Sequence, residues 1–540
     1  MAQDVESWKK LVEKGLKGAP FDKLVHRTPE GIELAPLYNE RPEDPPPPGA
    51  APFVRGAALE PFKVCVRVEP GDDVAGELDG GAEAVWCGAD DGAALELALE
   101  RGALAVRDTQ LEPAGAKAAG GGSVWSSCDW IGEMVRGALP GSGDGALDAW
   151  PLASVVEQAG AGERCIRIGG LAFHDAGADP ADELAFVLSS LVATLRHLDD
   201  AGIDLAAAER MLWAQVAVGR DTFGEVCKLR ALRVLWHKVL AAAGVAGARL
   251  DAIHAVCSSR TLSRRDPWVN MLRATTQVFA AVLGGAQLVT PLPYDAALAS
   301  RSPLGQRVAR NTALVLREES QLGRVIDPAG GSFYIETRTD ALARAAWERF
   351  TAIERDGGVV AMLRSGALRD RLEATWTARE AALARRKQPV LGVSEFANLS
   401  EAAPGDPAPL PGVRRDAEAF ETLRARVEAS PRDVSLILLG APAEHRARAG
   451  YAKNLFGVAG LASEACDIGP GIDVACLCGS DERYASDAAD AARSLKAAGA
   501  RRVVLAGRPG QREAELRDAG VDAFVFVGCD VLATLEEVLL

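Results

Sequence analysis

A chain of 540 residues with 48% hydrophobic and 25% charged residues holds enough apolar side chains for a large core and reads as two or three globular domains. Its formal net charge of −15 excludes non-specific binding to nucleic acid or to anionic membrane, both of which need a basic surface. No apolar run approaches the roughly 20 residues needed to span a bilayer, and the polar N-terminus MAQDVESWKKLVEKGLKG is unlike a signal peptide, so a cytoplasmic protein is expected.

The first predicted element is a helix over residues 5–18. The Pro-rich stretch RPEDPPPPGAAP (41–52) follows, and its consecutive prolines fix φ and favour an extended path. Strands are predicted over 61–70 (PFKVCVRVEP), 82–89 (AEAVWCGA), 164–170 (RCIRIGG), 253–257 (IHAVC) and 286–292 (AQLVTPL). Helices are predicted over 181–202 and 224–244, where apolar residues recur at helical spacing. DPAGGSFYIE (327–336) reads as a Gly-rich turn before a strand. It lacks the Lys of a phosphate loop, so it is assigned to architecture. This long strand–helix repetition, without a dinucleotide Gly motif, predicts parallel α/β and favours a closed (β/α)8 barrel.

A second Pro-rich break, EAAPGDPAPLPG, spans 401–412. Beyond it, strands at 434–440, 472–479, 501–507 and 524–528 alternate with helices at 444–460, 486–499, 512–520 and a final one from Asp530. That pattern predicts a flavodoxin-like doubly wound sheet, a fold that binds ligands at the carboxyl ends of its strands. The ten cysteines (65, 87, 128, 165, 227, 257, 466, 476, 478 and 529) are scattered, mostly in apolar runs, with no C-x-x-C. They are expected to be reduced and buried. Cys476 and Cys478 share one strand face, a weak metal pair without further His or Cys partners.

Three long stretches resemble the methylmalonyl-CoA mutase family, in the family's order. They are WKKLVEKGLKGAPFDKLVHRTPEGIELAPLY (8–38), FHDAGADPADELAFVL (173–188) leading to KLRALRVLW (228–236), and RVARNTALVLREESQLGRVIDPAGGSFYIETRTDALARAAW (307–347). With the C-terminal sheet, the resemblance covers nearly the whole chain. It implies a TIM barrel that holds an acyl-CoA and a domain that holds adenosylcobalamin, whose cobalt–carbon homolysis starts a radical rearrangement. The implied organisation is an N-terminal arm and Pro-rich segment (1–57), a barrel (58–390), a linker (391–431) and a degenerate cobalamin-binding-type domain (432–540).

Cobalamin-binding members carry D-x-H-x-x-G after the first strand of that domain. The His ligates cobalt, the Asp orients it, and the Gly lets the nucleotide tail approach the backbone. Here GAPAEHRARAG (440–450) puts His445 at the ligand position, with Ala443 and Arg448 in place of Asp and Gly. The family's Ser-x-Leu is missing from CLCGSDERY (476–484), and its Gly-Gly is replaced by Ala506-Gly507, followed by Arg508-Pro509. The site is therefore expected to be unused, and His445 to be a partly exposed helix-entry histidine.

Catalytic members also carry an R-Q-Y-type segment on the first barrel strand and an R-T-H-S-Q-T-S-G segment. The first corresponds to EPFKVCVRVEP (60–70), which has no Tyr or Gln. Its Phe62, Val64, Val66 and Val68 share one face, expected to point inward and fill the barrel. The second corresponds to AIHAVCSS (252–259), where His254 keeps the His position but Ala252, Ala255, Val256 and Cys257 surround it. A hydrogen-bonded core histidine is expected there. SSRTLSRRDPWVNMLR (258–273) resembles small subunits more than large ones. Asp266 is its expected N-cap, with Pro267 at the first helical position. Arg260, Arg264 and Arg265 read as a solvated loop or, alternatively, a face for a partner.

The resemblance thus implies a small subunit with no catalytic residues of its own. A catalytic large subunit, its heterodimer partner, would bind adenosylcobalamin and the acyl-CoA, by family default methylmalonyl-CoA. The alternatives are a divergent acyl-CoA mutase that binds cobalamin through His445, and a scaffold or assembly factor unrelated to turnover.

Overall fold

Apolar strands and amphipathic helices alternate along the chain and close into a barrel in the computed structural model, which describes residues 2–40, 42–56, 59, 61–88, 90–108, 123–138, 156 and 164–540. Helix α1 (Ala2–Gly15) and a short antiparallel pairing of His26–Arg27 with Glu33–Leu34 form the arm. The barrel strands are β1 (Lys63–Arg67), β2 (Ala84–Cys87), β3 (Leu104–Asp108), β4 (Val124–Cys128), β5 (Arg164–Gly169), β6 (Leu212–Val218), β7 (Ile253–Cys257) and β8 (Leu288–Thr290). Each lies parallel to the next, and β8 returns to β1 with Leu288 opposite Lys63 and Val289 opposite Val64. The TIM barrel expected from the sequence is thus present. The expected boundary at residues 57 and 58, Arg41 of the Pro-rich stretch and Ala89 of the predicted second strand lie outside the described residues.

Strands β3, β4 and β6 are absent from the sequence prediction. A parallel strand is covered on both sides, so β6 is buried at every position and shows no polar alternation. The same double burial reverses the expected orientation of β1. Val66 and Val68 pack with Val74, Leu95 and Leu99 of the flanking helices, so their face points outward. Cys65 and Arg67 point inward instead, with the Arg67 guanidinium 4.9 Å from the Trp86 ring.

Helices α2 (Pro180–Asp200) and α3 (Thr222–Ala242) begin at Asp179 and Asp221, whose carboxylates accept from the backbone N–H of Asp182 and Gly224. Helix α4 (Val269–Leu283) starts later than expected. Asp266 does not cap it: its backbone is left-handed (φ 43°), and its N–H donates to Glu401 Oε2 at 2.6 Å. Helix α5 (Phe333–Arg355) replaces the strand expected after the Gly-rich turn. Phe-Tyr-Ile favours a strand in isolation, but Ser332 caps the segment, and Ile335, Thr339, Leu342 and Ala346 bury at helical spacing.

Beyond the barrel, helix α6 (Glu418–Ala429) leads into parallel strands β9 (Val434–Leu438), β10 (Ser463–Ala465), β11 (Val474–Cys478), β12 (Arg502–Ala506) and β13 (Ala523–Val525), in spatial order β10-β9-β11-β12-β13. Edge strand β10 is too short and too exposed to register as a strand in the sequence. Helices α7 (Pro442–Val458), α8 (Ala488–Ala497) and α9 (Val531–Leu539) match the predicted segments. One apolar cluster joins Cys476 and Cys478 to Phe420, Leu455 and Leu535, and another joins Ala475 and Leu477 to Ala492, Leu495 and Leu516. Both faces of the sheet are therefore covered. All ten cysteines are free, and only Cys466 is exposed. No described helix is long and apolar enough to cross a membrane.

Ion pairs lock the barrel to the chain that follows. Arg260 and Arg265 are buried, which corrects both the solvated-loop and the partner-face readings of that cluster. Arg264 binds Glu421 through its N–H (2.6 Å) and Nε (3.1 Å), and Arg265 pairs with Glu428. Asp416, also buried, accepts two bonds from Arg379 at 2.7 Å each and one from Arg220 at 2.8 Å.

Candidate functional site

Inward-facing side chains of the strands fill the barrel axis. His254 of β7 is 0% exposed. Gln215 Nε2 donates to its Nδ1 at 3.0 Å, and its Nε2–H donates to Thr290 Oγ1 at 2.7 Å. Its ring meets Trp86 edge-on at 5.4 Å and stacks on Trp213 at 6.2 Å. Burial, reinforced by Arg167, pushes its pKa down to about 3. The imidazole is therefore neutral, and both ring nitrogens are occupied. Beside it, Arg167 (3% exposed) donates to Asp108 at 2.8 Å, and Trp86 Nε1 donates to the same carboxylate at 3.0 Å. An ion pair of 3.4 Å links Arg167 to Asp129.

A second buried polar cluster, which sequence reasoning missed, stands at the carboxyl ends of β5, β6 and β7. Lys228 of α3 lies between Glu183 (2.8 Å) and Glu225 (2.7 Å) and donates to Ala217 O at 2.9 Å. Burial pulls the Lys228 pKa down, but the two carboxylates outweigh it and hold it above the ordinary value. Arg260 donates to His174 Nδ1 at 2.6 Å, and His174 Nε2–H donates to Ser258 Oγ at 2.7 Å. Burial and then Arg260 push His174 well below the usual histidine range. The carboxyl of its neighbour Asp175 is raised by burial to about 7. The available signal was Glu183 and Lys228 interrupting apolar helical faces. Lys228 thus ties both carboxylates to the end of β6, so the cluster fixes the loops above the barrel.

The third candidate lies at the carboxyl edge of the C-terminal sheet, apart from His254. His445 sits in the first turn of α7, and its Nδ1 is buried without a hydrogen-bond partner, while Ala443, at the orienting position, is exposed. Arg448, one turn on, donates to Gly479 O at 2.7 Å and to Asp481 at 2.5 Å. Its guanidinium lies 4.7 Å from the Tyr484 ring. Tyr484 is buried; its OH lies 2.7 Å from Ala506 O and 3.0 Å from Leu477 O, and accepts from Gly479 N–H at 3.0 Å. A cavity of ≈ 690 Å³ adjoins this pair, lined also by Gly507, Arg508 and Phe526.

Residues 154–446 match the family model described as methylmalonyl-CoA mutase. The methylmalonyl-CoA mutase small subunit of Streptomyces virginiae is 38% identical, over 99% of this chain and 96% of its own length. The probable methylmalonyl-CoA mutase small subunit of Mycobacterium tuberculosis (strain ATCC 25618 / H37Rv) is 36% identical, over 95% of this chain and 92% of its own. The methylmalonyl-CoA mutase large subunit of Streptomyces virginiae is 35% identical over 43% of this chain and 32% of its own length.

Proposed function

This chain belongs to the methylmalonyl-CoA mutase family, a family of isomerases, and from that premise we propose that it is the non-catalytic small subunit of a heterodimeric, adenosylcobalamin-dependent mutase that interconverts methylmalonyl-CoA and succinyl-CoA in the cytoplasm. The partner is a large subunit that binds both the cofactor and the acyl-CoA. In this reading residues 1–57 are an arm, 58–390 the barrel, 391–431 a linker and 432–540 a flavodoxin-like domain of degenerate cobalamin-binding type.

The occupied barrel axis carries the proposal. A substrate acyl group needs open volume and a polar side chain free to contact it. Here Trp86, Trp213, His254 and Arg167 take the volume, and Gln215 and Thr290 occupy both nitrogens of His254, the histidine at the barrel's motif position. The edge of the C-terminal sheet agrees. Its residues do not fit cobalamin, because Arg448 and Tyr484 stand where the tail needs open backbone and the His445 Nδ1 has no orienting carboxylate. Loss of such an orienter costs about 10–100-fold in metal affinity.

Co-expression with the large subunit tests the reading. A one-to-one heterodimer by native mass spectrometry, one cobalamin per heterodimer, and unchanged turnover with His445→Ala in this chain are expected. Recovery of only monomer or homodimer would sink it. The second reading, a divergent mutase ligating cobalt through His445, rests on the histidine that keeps the ligand position of the motif. It would require the isolated chain to give a cobalamin absorbance change that His445→Ala abolishes.

A further inference from the structure

We infer that Arg448 and Tyr484 are the specificity-determining residues that close this chain to a corrin, so that restoring the ligand motif alone does not reopen it. The inference rests on the small-subunit reading above. In open parallel sheets, ligands enter outside the carboxyl ends of the strands, where the strand order reverses. In the order β10-β9-β11-β12-β13 that point lies between β9 and β11. The gap there is crossed several times. Leu439 N–H donates to Cys478 O at 2.8 Å, which extends the ladder past both strands. Arg483 Nε donates to Glu444 Oε1 at 2.9 Å. Arg448 reaches from α7 to Gly479 and Asp481 on the far side.

The Arg483–Glu444 pair is half-exposed and replaceable by water. Tyr484 is different, because it is buried and its hydroxyl bridges main-chain atoms at the ends of both β11 and β12. Its ring also covers Gly507: a Cβ added there would lie 2.9 Å from the ring and 3.2 Å from Arg448 Nη1. The glycine that survives from the Gly-Gly position is therefore blocked on the side that faces this ring and Arg448. With the ring removed and Arg448 shortened, the ≈ 690 Å³ cavity would run on to the switch point.

Titration of the full chain with hydroxocobalamin, followed by absorbance, tests this. The unchanged chain and Ala443→Asp/Arg448→Gly are expected to give no spectral change at roughly 100 µM cofactor, a concentration that detects any useful affinity. Adding Tyr484→Ser to that pair is expected to give a spectral change half-complete at or below roughly 10 µM cofactor, a gain of at least about 10-fold. Equal binding with and without Tyr484, or no gain from its removal, overturns the inference. Binding by the unchanged chain would instead defeat the small-subunit reading. Tyr484→Phe keeps the ring and loses only the hydroxyl. Hydrogen exchange at the Gly479 amide should then rise about fivefold, the equivalent of one hydrogen bond. Unchanged exchange would show that the phenol does not hold the two strand ends together.

Discussion

Asp416→Ala should be among the most damaging single substitutions in this chain, although Asp416 lies in a loop far from any motif. The carboxylate is 2% exposed and receives three charge-assisted hydrogen bonds: Arg379 Nε and Nη2 at 2.7 Å each, and Arg220 Nη2 at 2.8 Å. Its N–H also donates to Arg260 O at 2.9 Å. Burial pushes its pKa up, but Arg379 and Arg220 outweigh burial and hold it well below the usual carboxylate range. Alanine leaves two arginines, with side chains 18% and 23% exposed, facing each other without a counter-charge. Removing one partner of a buried pair costs about 3–5 kcal/mol, and the partial exposure of both arginines places this case near the low end, at roughly 3 kcal/mol. Urea denaturation followed by tryptophan fluorescence measures the loss. Because the folded-state pKa is depressed, the stabilisation is complete above the unfolded carboxyl value of about 3.9 and disappears as pH falls through the folded value. The gap between the two proteins should therefore narrow in acid. A difference below about 0.5 kcal/mol at neutral pH, the size of an ordinary surface substitution, would refute the reasoning.

His254→Ala should cost about 2–4 kcal/mol through a cavity and two orphaned partners, while the turnover of the folded heterodimer stays unchanged. Nitrogen chemical shifts should report a neutral His254 ring from pH 8 down to 5. The folded pKa of about 3 lies below the unfolded value, so stability falls as pH drops from about 6.5 towards 3. A rising melting temperature over that interval on acidification would contradict this sign. Thiol titration of the native chain should show one fast-reacting cysteine, Cys466, against ten after denaturation. Burial raises Cys65, Cys128 and Cys257 to about 12 and Cys87 and Cys227 to about 11, which keeps them protonated and slow. Loss of the fast phase in Cys466→Ser confirms the assignment, and a persisting fast phase refutes it.

Local order in the sequence determined the repeated strand–helix units, the shared face of Cys476 and Cys478, and the three motif positions around His445. Each is a matter of spacing along a few residues, and period-2 or period-3.6 burial writes that spacing directly into the chain. The same periodicity says which side chains share a face but not which way the face looks. Val66 and Val68 therefore turned outward, against the expectation, because a parallel strand buries both of its sides. The Phe-Tyr-Ile segment became a helix because its burial partners, not its propensity, decided. Charge pairing is the extreme case. Arg379 meets Asp416 across 37 residues, Lys228 meets Glu183 across 45, and Arg264 meets Glu421 across 157. Tyr484 likewise reaches Ala506 only after the sheet has brought two strand ends together. A buried charge or hydroxyl finds its partner through the folded topology, so only the tertiary structure could assign these residues.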